Sequence, residues 1–397
     1  MTARDPYFLG LQQALHNAGI ATPTLVIDRA RLNANIDAVT GTLPAGMGFR
    51  IVAKSLPSHD LLAHVRSRSG TNRLMVFNLP MLLELSIAMP DASLLLGKPL
   101  PVAAARAYFD RLPEAARHAA ANVQWLVDTP ERLAQYGELA EVVGENLRIN
   151  FEIDVGLHRG GFTPGSGLAR ALETVRESNR LSFAGFMGYE PHVPALPEKG
   201  GWRERALDGA WQIYREANAL ALATLGAPAM AGATRNAGGS PTYRLYRDTA
   251  VANEVSVGSA LVKPTQFDTD LLEGHQPACF IAAPVLKRLD GIHMPGLEFA
   301  DPDTPSPAPQ PGTSLFTYGG KWMADPVDPA GLETHRIIGR SSNQELLVGP
   351  PDLDIRVDDF VFLRPHQSEA VFLQFGDIAV HEKGAIVDTW PVFPASA

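Results

Sequence analysis

Lys54 closes a short apolar run, Phe49 to Ala53 (FRIVA). An amine set directly after a buried strand loses hydration, which lowers its pKa and makes it a nucleophile toward an aldehyde. The plain alternative is a surface lysine whose stem lies along apolar neighbours. Asp154-Val-Gly-Leu-His-Arg159-Gly-Gly joins an acid, a turn glycine and an arginine. Arg159 can hold a phenolate or carboxylate through charge-assisted hydrogen bonds, or it is a solvated arginine on a surface turn. Gly188-Tyr189-Glu-Pro-His192 offers a ring that can stack on a planar ligand. His192 can act as general acid or base, although a histidine after proline is more often structural. Asn236-Ala-Gly238-Gly239-Ser240-Pro-Thr242 sets two glycines beside two hydroxyls, a composition that cradles phosphate through backbone N–H groups. Ser256-Val-Gly258-Ser259 is a second loop of small residues. Each glycine loop taken alone is also an ordinary turn.

These clusters sit at the ends of β-rich runs. The runs are Thr24–Asp28, Phe49–Ala53, Arg73–Phe77, Ser93–Leu96, Val123–Val127, Arg148–Ile153, Ser182–Met187, one near Ala233, and Asn253–Val257. Between them Asp60–Arg68, Pro101–Ala121 and Leu207–Leu225 have helical spacing. Thr129–Ala140 opens on Thr-Pro-Glu, a capping hydroxyl followed by proline in the first turn. Strand and helix alternate about eight times over roughly 230 residues, the rhythm of right-handed parallel βαβ units. A closed (β/α)8 barrel and an open doubly wound sheet both fit. The count and the length favour the barrel, which takes about 250 residues. No GxGxxG follows the first strand, which weakens a dinucleotide-binding sheet. In a barrel the C-terminal strand ends share one face. Lys54 would then stand on the first barrel strand, opposite a phosphate cradle on the seventh and eighth. A nucleophilic amine and a phosphate cradle in one mouth describe a cofactor that is both aldehyde and phosphate: pyridoxal 5'-phosphate.

Beyond about Asp268 the pattern changes. Asp301 to Thr313 is a Pro-rich loop, and around it lie strand-like runs at Ala278–Pro284, Glu345–Val348, Asp359–Leu363, Ala370–Phe375 and Ala385–Val387. The fold class predicted is therefore α/β, a (β/α)8 TIM-type barrel with a C-terminal mostly-β domain. Its predicted divisions are an N-terminal segment 1–22 packing on the β domain, a barrel over 23–264, and the β domain over 265–397. The chain has 397 residues, 45% hydrophobic and 19% charged, which excludes a largely disordered chain. A formal net charge of -9 disfavours nucleic acid as a partner. Cys279 is the only cysteine, so no intrachain disulfide or cysteine metal cluster can form. The first residues lack a basic start followed by an apolar stretch, and Ala217 to Ala233 is too interrupted to span a membrane. A cytoplasmic protein without a membrane partner is the expectation.

Together, Thr22-Pro-Thr-Leu-Val-Ile-Asp28, Ala53-Lys54-Ser55, the Asp154–Gly161 stretch, Gly188-Tyr189, Gly238-Gly239-Ser240 and Val257-Gly258-Ser259 resemble fold type III pyridoxal-phosphate enzymes. The branch they resemble is the D-threonine aldolase / D-serine dehydratase-like group, related to alanine racemase, and the resemblance spans nearly the whole chain. It implies a homodimer with active sites between subunits and a small amino-acid substrate. It implies Lys54 as the Schiff-base lysine, Arg159 beside the cofactor's phenolic oxygen and Tyr189 beside its ring. Gly238, Gly239, Ser240, Gly258 and Ser259 match the phosphate loops. One departure concerns the divalent metal (manganese, zinc or magnesium) that aldolases and dehydratases of the group carry on a His-x-Cys or His-x-Asp pair. Here the stretch reads Arg364-Pro-His366-Gln-Ser368-Glu369. His366 is kept as a candidate ligand. Ser368 stands at the second position, and a neutral hydroxyl is a poor ligand for such ions. Glu369 replaces it only with a change of register. Ser368 and Glu369 are alternatively candidates for binding substrate.

The resemblance points first to a lyase acting on a D-β-hydroxy-α-amino acid, by retro-aldol cleavage or by dehydration, with His192 as candidate base. A racemase is the alternative. It needs a second base on the opposite face of the α carbon, for which Tyr318 in Phe-Thr-Tyr318-Gly-Gly-Lys-Trp322 is the candidate; a core or turn tyrosine is the plain reading. A non-catalytic carrier of the cofactor is a third reading, against which stands the C-terminal β domain that known carriers lack. A barrel hydrolase with metal at His192 and His366 leaves Lys54 and the glycine loops without a joint purpose.

Overall fold

The computed structural model describes residues 4–292 and 310–394. Residues 301–309 of the Pro-rich run lie outside the described residues, whereas Gln310–Thr313 open a strand. The chain divides into two compact units. One comprises Met1–Ala34, Val262–Asp268 and Gln276–Val392; the other comprises Asn35–Leu261, Thr269–His275 and Phe393–Ala397.

The second of these holds the barrel. After β1 (Thr24–Asp28) come β2 (Gly48–Val52), β3 (Arg73–Val76), β4 (Ser93–Leu96), β5 (Val123–Val127), β6 (Leu147–Ile153), β7 (Leu181–Gly188), β8 (Thr234–Ala237) and β9 (Glu254–Val257). Strands β2 to β9 close into a parallel eight-stranded barrel, with β9 returning to β2 through the pairing of Arg50 with Ser256. The helices between strands start where the sequence signals them. Ser58, Asn78 and Thr129 each accept a backbone N–H at a helix start, and Gly70 and Gly144 end helices in the left-handed conformation. The expected single helix over Pro101–Ala121 is two elements, an α-helix Val102–Arg111 and a 3₁₀ stretch Glu114–Asn122. Pro113 has no N–H to continue the first helix and biases Leu112 away from helical geometry.

The barrel interior is not filled by aliphatic layers alone. Arg50 is 1% exposed and grips Glu254 through two bonds of 2.6 and 3.0 Å while donating to the carbonyls of Leu74 and Ser93. Asn236 donates to Glu254 at 2.8 Å and to Ser256 at 2.8 Å. Asn150 donates to Gln124, which donates to Thr234. Arg50, Glu254, Asn236, Gln124 and Asn150 each find at least one partner on another strand, which is what lets such a network be buried, while Asn150 Oδ1 stays without one.

The other unit is built on a nine-stranded sheet. Its members are β1, β10 (Cys279–Ile292), β11 (Gln310–Tyr318), β12 (Ala324–Asp328), β13 (Glu333–Thr334), β14 (Gln344–Gly349), β15 (Phe360–Pro365), β16 (Asp377–Glu382) and β17 (Ala385–Pro391). The order runs β13-β14-β11-β10-β1-β16-β17, with β15 pairing β10 and β12. β1, which the sequence reading placed within the barrel span, is here antiparallel to β10 and parallel to β16. A ring already closed by eight strands has no edge left to receive it. The helix Pro6–Asn17 ahead of it packs Phe8, Leu11 and Leu15 against Phe280, Phe360 and Phe362. The expected strand Ala370–Phe375 is instead a helical turn, Ser368–Phe372, that buries Val371 and Phe372. A short apolar run fits either state by periodicity, so the tertiary surroundings decide.

Candidate active site

Lys54 lies in the single 3₁₀ turn Ala53–Ser55 that ends β2. Its Nζ is 4.7 Å from the centroid of the Phe77 ring, a cation–π distance. Phe77, the residue after β3, was not singled out from sequence. Gly97, after β4, makes room for it: a Cβ there would meet Phe77 Cζ at 2.5 Å. The signal available was position alone, since residues at the C-terminal end of a barrel strand face the mouth.

The loop after β6 is folded by Asp154. Its Oδ1 accepts from the amides of Gly156 (3.1 Å) and His158 (2.9 Å), and its Oδ2 meets His158 Nδ1 at 2.9 Å. Burial alone would raise Asp154; these bonds outweigh it and hold the carboxyl below the ordinary range. Arg159 emerges from this loop with its guanidinium 3.8 Å from Glu152 Oε1 and its Cζ 5.6 Å from the Tyr189 ring centroid. Burial pushes Glu152 up, and the Arg159 charge opposes it. His192, in the turn His192–Ala195, lies against the same loop: a Cβ on Gly156 would come 3.3 Å from its Nε2. Its Nδ1 is buried with no partner. Burial lowers its pKa, His158 lowers it further and Asp154 opposes, so the ring is held neutral near pH 7 and can accept a proton.

The loop after β8 and the one after β9 are tied together. Ser240 Oγ accepts from the amides of Gly258 (3.2 Å) and Ala260 (3.0 Å), and Ser259 Oγ donates to Ser55 Oγ at 3.0 Å. The second loop is thereby joined to the turn that carries Lys54. Gly238 has φ +70°, and a Cβ on Gly239 would lie 2.5 Å from Tyr189 Cε2, so glycine lets the tyrosine ring rest on the loop. Thr242 is fully buried and its hydroxyl is spent inside the protein, accepting from the Gly239 amide at 3.0 Å and donating to Glu190 Oε1 at 2.5 Å. Glu190, 1% exposed, was passed over in the sequence because a lone Glu beside Tyr189 has no spacing signal. A Cβ on Gly258 would sit 2.8 Å from both Val52 Cβ and the Val52 carbonyl. Gly258→Ala is expected to lower stability by about 1–3 kcal/mol through overpacking, read from the midpoint of urea unfolding; an unshifted midpoint would contradict this tight approach.

Lys54, Arg159, Tyr189, His192 and the two glycine loops thus stand on strand ends of the barrel unit. Tyr318, His366, Ser368 and Glu369 belong to the sheet unit. Tyr318 ends β11 and is 43% exposed, so it is no core residue there. His366 Nε2 pairs with Asp325 Oδ2 at 2.9 Å. Ser368 is fully buried with its hydroxyl unpartnered, and Glu369 follows it in the helical turn, so these two no longer alternate as strand neighbours would. Among the described residues no three His, Cys, Asp or Glu side chains converge as a metal site, and none of the helices is long and apolar enough to cross a membrane.

Residues 27–266 match the family model described as the alanine racemase N-terminal domain. No curated protein sequence matches the chain. Among solved structures it is similar to D-threonine aldolase from Filomicrobium marinum, at TM-score 0.72 and 17% identity over 94% of this chain and 95% of that one. It is also similar to D-threo-3-hydroxyaspartate dehydratase from Delftia sp. HT23, at TM-score 0.69 and 17% identity over 94% and 98% of the two chains. Alanine racemase from Clostridium difficile 630 gives TM-score 0.69 and 14% identity over 92% and 97%. At these identities the likeness is one of fold.

Proposed function

The chain belongs to the family of the alanine racemase N-terminal domain, and from that premise we propose that it is a pyridoxal-phosphate enzyme, a lyase that splits D-β-hydroxy-α-amino acids. The observation that carries this reading is the link between the Lys54 turn and the two glycine loops, made by Ser55–Ser259 and Ser240–Gly258 within one barrel mouth. The residues present fit the cofactor. Gly239 and Gly258 stand where any Cβ would collide with the walls. Ser240, Ser259 and their loops would hold the phosphate, Tyr189 the ring, Arg159 the phenolic oxygen and Lys54 the aldehyde carbon. When bound, pyridoxal phosphate supplies a covalent handle for the substrate amine and draws electrons away from the α carbon.

The chain's own groups supply the rest. Lys54 would hold the cofactor's aldehyde until the substrate amine takes its place, and its Nζ would then be free to carry a proton at the α carbon. For retro-aldol cleavage, neutral His192 accepts the β-hydroxyl proton at Nε2; the Cα–Cβ bond breaks, an aldehyde leaves, and the α carbon is reprotonated to give the shorter amino acid. For dehydration, Lys54 Nζ would remove the α proton and pass it to the departing β-hydroxyl, which leaves as water, giving a keto acid and ammonia after hydrolysis. Incubation with D-threonine, D-serine and D-alanine, followed by chiral chromatography, separates these outcomes. Aldehyde or keto acid supports the lyase; L-alanine as the sole product would replace it with a racemase. No turnover beside tight cofactor binding would leave a carrier.

His192 sets a pH dependence. A base must be deprotonated, and burial holds this one below the ordinary histidine value, so activity should fall only as pH drops through a point below about 6.5. His192→Gln is expected to lower kcat by about 10²-fold and to remove that acid limb. An unchanged pH–rate profile would take the base role from His192.

A further inference from the structure

Glu190 is a buried carboxylate that the chemistry above does not use. It follows Tyr189 at the end of β7 and meets both ends of the glycine loop after β8: its Oε2 accepts from the Gly238 amide at 3.3 Å, its Oε1 from the Thr242 hydroxyl at 2.5 Å. The Thr242 hydroxyl in turn accepts from the Gly239 amide at 3.0 Å, and the Thr242 amide donates back to the Gly239 carbonyl at 2.9 Å. The Tyr246 hydroxyl is a further donor to the same carboxylate. Meanwhile the ring of Tyr189 lies where a Cβ on Gly239 would be. One dipeptide therefore grips the loop from two sides, with an aromatic face against its middle and a carboxylate across its ends. Three donors converge on this one acid; burial raises its pKa, and the bonds from Thr242, Tyr246 and the Gly238 amide oppose that rise.

We propose that Glu190 is the positioning residue that fixes the Gly238–Thr242 loop in the shape that grips an anionic phosphate tail. The idea deepens the proposed function and rests on it. Glu190 spends the Gly238 amide and the Thr242 hydroxyl on itself, so these two groups shape the loop and leave the grip to the groups around Ser240 and Ser259. Its removal would leave a buried N–H and O–H without an acceptor, and the loop would relax to find water or new partners. The loss should fall on recognition of the phosphate and spare the ring and the aldehyde.

The test compares two vitamers on the full chain stripped of bound cofactor. Dissociation constants of pyridoxal phosphate and of pyridoxal are measured by absorbance titration for the wild type, Glu190→Gln and Glu190→Ala. The wild type should prefer the phosphate ester. Glu190→Ala should lower that preference by about tenfold or more, with pyridoxal affinity little changed. Glu190→Gln, which keeps one acceptor oxygen and trades the other for an NH2 donor, should narrow the preference only mildly, by about threefold. A Glu190→Ala chain with the wild-type preference, or one that loses both vitamers equally, overturns the proposal. Should Glu190→Ala fail to fold, the mildly narrowed preference expected of Glu190→Gln decides in its place: a preference unchanged or a uniform loss of both vitamers overturns the idea. A wild-type chain that binds neither vitamer removes the proposed function and this inference together. A wild type that binds both without preference removes only the inference.

Discussion

Lys54→Ala is expected to lower turnover by on the order of 10³-fold or more and to abolish the visible absorption of bound cofactor. The reason is positional. Lys54 occupies a 3₁₀ turn between β2 and the helix His59–Ser69, half-buried, with its amine over the Phe77 ring. Of the barrel strands only β2 is followed within two residues by Lys54; β3 to β9 run directly into Phe77, Gly97, Asp128, Asp154, Tyr189, Gly238 and Gly258. Deleting the amine removes both the covalent attachment and the proton carrier at the α carbon. Urea unfolding of the variant, measured beside the spectrum, separates loss of the amine's chemistry from loss of the fold. A visible spectrum unchanged by the substitution would show that another lysine carries the cofactor.

Glu254→Gln is expected to destabilise the protein by about 3–5 kcal/mol, the cost of breaking a buried ion pair from one side. Glu254 is 2% exposed and takes Arg50, also buried, through a two-pronged contact; Arg73 approaches its Oε2 at 3.3 Å and Asn236 donates to its Oε1 at 2.8 Å. Removing the charge strands the Arg50 guanidinium inside the barrel. Arg148 makes this worse, since burial and the nearby Arg50 charge already depress its pKa. Arg50→Met combined with Glu254→Leu should cost less than the two single changes added together, because a matched apolar pair leaves no buried charge. Urea unfolding of the four proteins closes the cycle. A Glu254→Gln loss under about 1 kcal/mol would show that water reaches the pair and screens it.

Much of the barrel was legible in the amino-acid sequence. The runs of period two and period 3.6 reflect local backbone geometry, and each is written within a dozen residues. That is why β2 to β7 and β9, and the start of the capped helix at Thr129, could be placed within a residue or two, and β8 near Ala233. It is also why Lys54, Arg159, Tyr189, His192 and the loops at Gly238 and Gly258 could be assigned to strand ends. Less of the sheet unit was legible. β1 leaves the barrel span to lie between β10 and β16, and the run Ala370–Phe375 turns into helix, because pairing partners and neighbours, not period, choose between states for short apolar segments.

Only the tertiary structure decided which side chains meet. Arg50 and Glu254 are 204 positions apart, Glu190 and Thr242 52 apart, and nothing local in either stretch announces the partner. Phe77 became part of the Lys54 environment because Gly97, on another strand, left it space. A sequence records periodicity and intrinsic chemistry residue by residue. Desolvation, pairing of buried charge and the shape of a loop arise when the chain closes on itself, and they belong to no single segment.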